Sequence, residues 1–198
     1  MIDEGYIKFN HEWIKAEPFP CELIDEINLW RNKMYELGLI GMYDNGIGYG
    51  NISQRVFHNE FLISGSATGG KPKLNELGYT CVESYDFKQN FLVCRGPIIA
   101  SSESLTHAAI YEQSPDIKAV IHVHSLSAWK NLLGKVPTTK ADVPYGTPEM
   151  AGEIERLFKE TDVANQKILA MAGHEEGIVT FGSTFEEANE GIALLLKA

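Results

Sequence analysis

Cysteine is scarce in this chain of 198 residues. There are three, Cys21, Cys81 and Cys94, an odd number with no CxxC spacing. That count excludes a disulfide-framed secreted scaffold and points to free thiols in a reducing compartment. Basic residues are also short: 17 Lys and Arg stand against 27 Asp and Glu, for a formal net charge of −10. A chain this acidic repels phosphate backbones and anionic lipid, so no nucleic acid and no membrane surface is expected as a partner. No apolar run approaches the ~18 residues of a membrane helix. The N-terminal MIDEGYIKFNHEW lacks the basic-then-apolar pattern of a secretory signal. There is no low-complexity tract and no visible repeat. The expectation is a soluble, cytoplasmic protein.

What is present is an ordinary folding composition, 44% hydrophobic and 22% charged. A core of this size needs neither disulfides nor a structural metal, and residues 1–198 are expected to form one domain. Residues 21–37 predict an amphipathic helix, with Leu23, Ile24, Ile27, Trp30, Met34 and Leu37 on one face. The glycine-rich YDNGIGYGNIS at 43–53 reads as a turn. Apolar runs at 52–57, 61–64, 79–85 and 91–94, separated by turn residues, predict antiparallel hairpins. Further helices are expected over 102–113, 125–133 and from Thr147-Pro148-Glu149 to about Lys159, with strands at 118–124, 168–171 and 178–181. Thr184-Phe185-Glu186-Glu187 fits a capping box that opens a last helix. A largely antiparallel sheet must bury both faces, so helices are expected on each side of it.

The sharpest chemical signal is IHVHS at 121–125. Side chains alternate along a strand, so His122 and His124 share a face and can hold one metal ion. The alternative is two ordinary hydrogen-bonded histidines, since a zinc site needs further ligands. His174, in the hairpin turn AGHEEG, is a candidate third ligand. His11 and His58 read as solvated, and His107 as a packed, hydrogen-bonded side chain that shares a face with Glu103. Glu103 follows Ser101 and Ser102 at a predicted helix start, where unpaired N–H groups favour an anion. Its carboxylate is expected to stay ionised and act as a base; the alternative is a helix cap. The turns Gly50-Asn51 and Ser64–Lys71 permit close backbone approach and also suit an anion.

Taken in chain order, GNIS (50–53), FLISGS (61–66), ASSESLTHAAIY (100–111), PDIKAVIHVHS (115–125), PYGTPEMA (144–151) and GHEEGIVTFGSTFEEA (173–188) resemble the class II aldolase and adducin head-domain family. The resemblance covers roughly residues 20–195. It implies an α/β fold, a three-layer α/β/α domain with a central, mainly antiparallel sheet, assembled as a homotetramer. It implies His122, His124 and His174 as ligands to Zn2+ or another divalent transition metal, and Glu103 as the catalytic acid/base. Asn51, Ser66, Ser101 and Ser102 would hold the substrate phosphate. The implied activity is a metal-dependent lyase, performing aldol cleavage or addition on a small sugar phosphate through a metal-stabilised enediolate. A dehydratase or epimerase on the same scaffold is the alternative. So is a non-catalytic adducin-like interaction module, against which the retained histidines argue.

The chain departs from the family pattern in four places. The stretch between the helix after IHVHS and PYGTPEMA is short. Glu175 and Glu176 stand where aldolases have a tighter His-Gly turn. Ala67 replaces a usual glycine in the phosphate loop. With Ala198 as the last residue, the C-terminal tail that some members place over the site is not expected. For the acid that protonates the aldehyde oxygen, Tyr145 and Tyr111 are the candidates.

Overall fold

The computed structural model describes residues 5–196. In chain order the elements are β1 (Asn10–Lys15), α1 (Cys21–Glu36), β2 (Gly41–Met42), β3 (Gly48–Tyr49), β4 (Asn51–Phe57), β5 (Glu60–Ser64), β6 (Tyr79–Asp86) and β7 (Phe91–Gly96). There follow α2 (Ser104–Gln113), β8 (Ala119–His124), α3 (Leu126–Leu132), α4 (Pro148–Glu160), α5 (Val163–Gln166), β9 (Ile168–Ala170), β10 (Gly177–Gly182) and α6 (Phe185–Leu195). Eight strands form one sheet in the order β1-β7-β6-β5-β4-β8-β10-β9, and β2 and β3 form a separate small hairpin. Every neighbouring pair in the large sheet is antiparallel except β1 with β7.

Helices cover both faces, which makes three layers. On one face Val120 of β8 and Val179 of β10 pack with Leu105 and Ala108 of α2 and Met150 and Ile154 of α4. On the other, Ile121 and Val123 pack with Ile24, Ile27 and Met34 of α1 and Ala188 and Ile192 of α6. Each of the valine, leucine, isoleucine and methionine side chains among them, fully buried, contributes roughly 1.5–3 kcal/mol. Helix starts follow their local chemistry. Thr147 Oγ1 accepts from Met150 N, with Pro148 in the first turn. Thr184 Oγ1 accepts from Glu187 N, but the Glu187 carboxylate turns to Ser183 N at 2.6 Å, so the box at this end closes one residue early.

Strand β8 positions the site. Its six residues are all buried. Alternation puts Val120, His122 and His124 on the α2/α4 face. Two imidazoles thus occupy positions where aliphatic side chains would stabilise the core. Burying them costs free energy unless their nitrogens find partners.

Candidate metal centre and active site

Three histidines converge at one end of the sheet. His122 and His124 come from the end of β8, and His174 from the turn between β9 and β10, closed by His174 N to Met171 O and Gly177 N to His174 O. All three are buried, and their ligand atoms lie within 4.8 Å of one another. The Nε2 atoms of His124 and His174 are 3.1 Å apart. His122 Nδ1 meets Asn51 Nδ2 at 3.3 Å, while its buried Nε2 has no hydrogen-bond partner. Desolvation lowers the pKa of His122 to about 3, and holds His124 and His174 well below 6.5, so all three are neutral. Neutral imidazoles whose ligand nitrogens converge are what a divalent transition metal requires. The donor set therefore fits such an ion.

Glu103 stands beside this cluster, with Oε1 3.5 Å from His174 Nε2. It occupies the N-cap position of α2, whose first residue, Ser104, is two residues later than the sequence predicts, and its side chain makes no capping hydrogen bond. Neither carboxyl oxygen has a partner of ordinary hydrogen-bond geometry. Burial pushes its pKa up to about 7, opposed by the nearby Thr106 hydroxyl and the Lys8 ammonium. The expectation of an ionised first-turn carboxylate is thus corrected: desolvation outweighs the helix end. The alternative role as a helix cap is not what the geometry shows either.

Asn51, Ser66, Ser101, Ser102 and Glu103 line one narrow cleft with the backbone of Gly48–Gly50 and Ala67–Gly69. The four residues expected to hold phosphate are therefore brought together beside Glu103. Ser101 Oγ accepts from Glu103 N at 3.4 Å. Gly50 holds φ at +72°, and a Cβ there would meet Leu39 O at 3.0 Å and His122 O at 3.1 Å, so the turn needs glycine. A larger cavity of about 480 Å³, lined by residues such as Phe87, Ala109 and Ala151, lies away from the histidines and carries none of this chemistry.

The two tyrosine candidates separate. Tyr145 packs its ring on His174, centroids 4.5 Å apart. Tyr111 is buried elsewhere, its hydroxyl 2.8 Å from Ser53 Oγ, and desolvation raises its pKa. His107 is packed as expected, with Nδ1 2.6 Å from Ser53 Oγ. His11 and His58 are exposed.

Sequence reasoning missed three side chains. Tyr43 and Tyr49 flank the turn that was read only for its glycines. Tyr43 Oη lies 2.9 Å from His124 Nδ1, and the Tyr49 ring stacks on His124. Arg31, buried on the inner face of α1, donates to the carbonyls of Thr68 at 2.9 Å, Gly69 at 3.0 Å and Pro72 at 3.3 Å, behind the cleft. Its signal was a charged residue at an apolar-face position, four after Ile27 and three before Met34.

Known proteins agree with this architecture. The chain is 28% identical over 182 residues to the 3-oxo-tetronate 4-phosphate decarboxylase of Haemophilus influenzae, covering 78% of each chain. It is 26% identical over 183 residues to the methylthioribulose-1-phosphate dehydratase of Leptospira biflexa, covering 75% of this chain and 84% of that one. Among solved structures, L-fuculose-1-phosphate aldolase from Thermus thermophilus aligns with a TM-score of 0.64 at 18% identity, over 90% of this chain and 91% of the other. That likeness shows the fold. The model of the class II aldolase and adducin N-terminal domain matches residues 33–198. With its three-layer fold, its histidine cluster and a match over most of its length, the chain belongs to the class II aldolase and adducin N-terminal domain family.

Proposed function

We propose that this protein is a divalent-metal-dependent lyase that breaks or forms a carbon–carbon bond beside the carbonyl of a small sugar phosphate. The observation that carries the reading is Glu103, a buried carboxyl without hydrogen-bond partners, 3.5 Å from one of three clustered imidazoles. His122, His124 and His174 are the proposed ligands, with zinc the proposed ion. Held there, the ion would supply Lewis-acid charge at the substrate carbonyl. Three neutral ligands would leave its charge undiminished and positions open.

Glu103 would move the proton at the carbon next to that carbonyl. A pKa near 7 lets one carboxyl both accept and return a proton at neutral pH. Asn51, Ser66, Ser101 and Ser102 would hold the phosphate and fix the substrate's orientation. Tyr145, against His174, is the proposed proton donor to the aldehyde oxygen. Assembly as a homotetramer is part of the reading and rests on family membership alone. Light scattering that returned a 22.0 kDa monomer at micromolar concentration would count against it.

Glu103→Gln should leave folding and zinc content intact while cutting kcat by ~100-fold or more. Deuterium exchange at the carbon next to the carbonyl isolates the proton step; wild-type exchange in that variant would remove Glu103 from the mechanism. Zinc analysis beside a His122→Ala His124→Ala protein tests the ligands, and equal metal in both would sink the assignment. Decarboxylation of a 3-oxo acid phosphate is a second reading, favoured by the decarboxylase relative. Both reactions leave an electron pair on the same kind of carbon for Glu103 to protonate. Release of carbon dioxide rather than an aldehyde, across a panel of sugar phosphates and 3-oxo acid phosphates, separates the two.

A further inference from the structure

The two acids that depart from the family's His-Gly turn, Glu175 and Glu176, have very different places. Glu175 is exposed. Glu176 holds φ at +70°, a left-handed conformation that costs a residue with a Cβ about 1–2 kcal/mol. That backbone is fixed on both sides: Glu176 O accepts from Ser125 N at 3.1 Å, and Gly177 pairs with His124 in the β8–β10 ladder. The result aims the Glu176 carboxylate back at β8. Tyr43 Oη donates to Glu176 Oε2 at 2.7 Å and lies 2.9 Å from His124 Nδ1. A hydroxyl has one proton. With that proton on the carboxylate bond, the contact to His124 requires the imidazole to donate from Nδ1. His124 then presents the lone pair of Nε2 toward His174.

We propose that Glu176 and Tyr43 form a carboxylate–phenol relay that fixes the tautomer and ring orientation of His124 as a metal ligand. The inference rests on the trihistidine reading of the site. It adds two positioning residues that touch neither substrate nor ion. The small hairpin of β2 and β3 is the relay's frame. Its turn is closed by Tyr43 N to Ile47 O and Gly46 N to Tyr43 O, both 2.9 Å, and it stacks Tyr49 against His124, centroids 5.4 Å apart at 30°. Partners of this kind on ligating histidines hold the ring and raise ligand basicity; their loss typically weakens metal binding 10–100-fold.

The test is zinc affinity by chelator competition on the full-length protein, beside the imidazole nitrogen NMR spectrum of the metal-free form. Tyr43→Phe and Glu176→Ala should each weaken zinc binding by about 10-fold or more. Glu176→Gln keeps an acceptor and should restore most of that loss. Glu175→Ala should bind as wild type. In the metal-free wild type, His124 should carry its proton on Nδ1, and Tyr43→Phe should mix the tautomers. Glu176→Ala keeps the test open should Tyr43→Phe fail to fold. Variants that hold zinc as the wild type does and keep the Nδ1 proton would overturn the relay alone. Wild-type protein that bound no zinc would overturn the relay and the trihistidine reading together, and that result is visible before any variant is made.

Discussion

Gly177 lies opposite His124 in the β8–β10 ladder, and its missing side chain is what leaves room for His174. A Cβ there would stand 2.5 Å from His174 Cδ2 and 3.1 Å from Cγ. The ring cannot stay where it is against such an atom. The backbone at Gly177 is ordinary strand, so alanine carries no conformational penalty and restricts the unfolded chain instead. Gly177→Ala should therefore cost about 1–3 kcal/mol through the displaced ring, leave the protein folded, and weaken zinc binding by about 10-fold or more. Unchanged zinc affinity would mean that His174 is not a ligand. Ala67 is the opposite case. It adopts φ +58°, the left-handed conformation that the family's usual glycine takes freely, so the loop keeps its shape at a cost of about 1–2 kcal/mol.

Between elements, Arg31 links α1 to the loop at 66–72. Its guanidinium is buried, and no carboxylate is among its bonded partners; three backbone carbonyls hold it. Arg31→Met would leave carbonyls behind the cleft without their donor, at ~1–3 kcal/mol for each buried group. Urea unfolding should show a loss of about 3 kcal/mol, and the variant should bind inorganic phosphate more weakly than wild type. A loss under ~0.5 kcal/mol would show the loop to be held by something else. The hairpin strands β4 to β7 were readable because alternation and turn residues are local signals. β1 was not: its outward residues are polar, and its only partner, β7, lies about 80 residues on. β2 and β3, two residues each, carry no periodicity at all, and their importance comes from what Tyr43 and Tyr49 touch. The same divide runs through the site. Period-two spacing exposed His122 and His124, and the turn exposed His174. The burial of Glu103 depends on tertiary packing, so a local argument about a helix end misplaced its charge.

Across the whole molecule, acid sensitivity follows from counting protons in the metal-free form. Four of the six histidines, His107, His122, His124 and His174, are buried, and desolvation holds each of them far below 6.5. In the unfolded chain each takes a proton near pH 6.5. Folded values are depressed, so the unfolded state binds more protons once the pH drops below that point, and stability falls with it. Glu103 acts in the opposite sense. Its folded value is raised from 4.5 to about 7, so the folded state holds the extra proton in that window, and its contribution is lost as pH rises. Four depressed imidazoles outweigh one raised carboxyl, so the net effect is a stability that falls as the pH drops below about 6.5. That loss is drawn from a reserve of only ~5–15 kcal/mol. Glu153, held at about 2 by Arg156, and Glu187, held at about 2 by Lys167, add their loss only below pH 4.5. Metal-stripped protein should therefore melt at steadily lower temperature as the pH is taken from 6.5 to 5. Zinc held only by the folded chain should raise the melting point at pH 7.5, and the gain should fade on acidification as protons compete for the imidazoles. Circular dichroism melts at half-unit pH steps, with and without zinc, measure both effects. A flat profile from pH 6.5 to 5 in the stripped protein would mean that the cluster protonates without unfolding. The imidazoles would then be reached by water, and the dry, neutral donor set on which the metal reading depends would be lost.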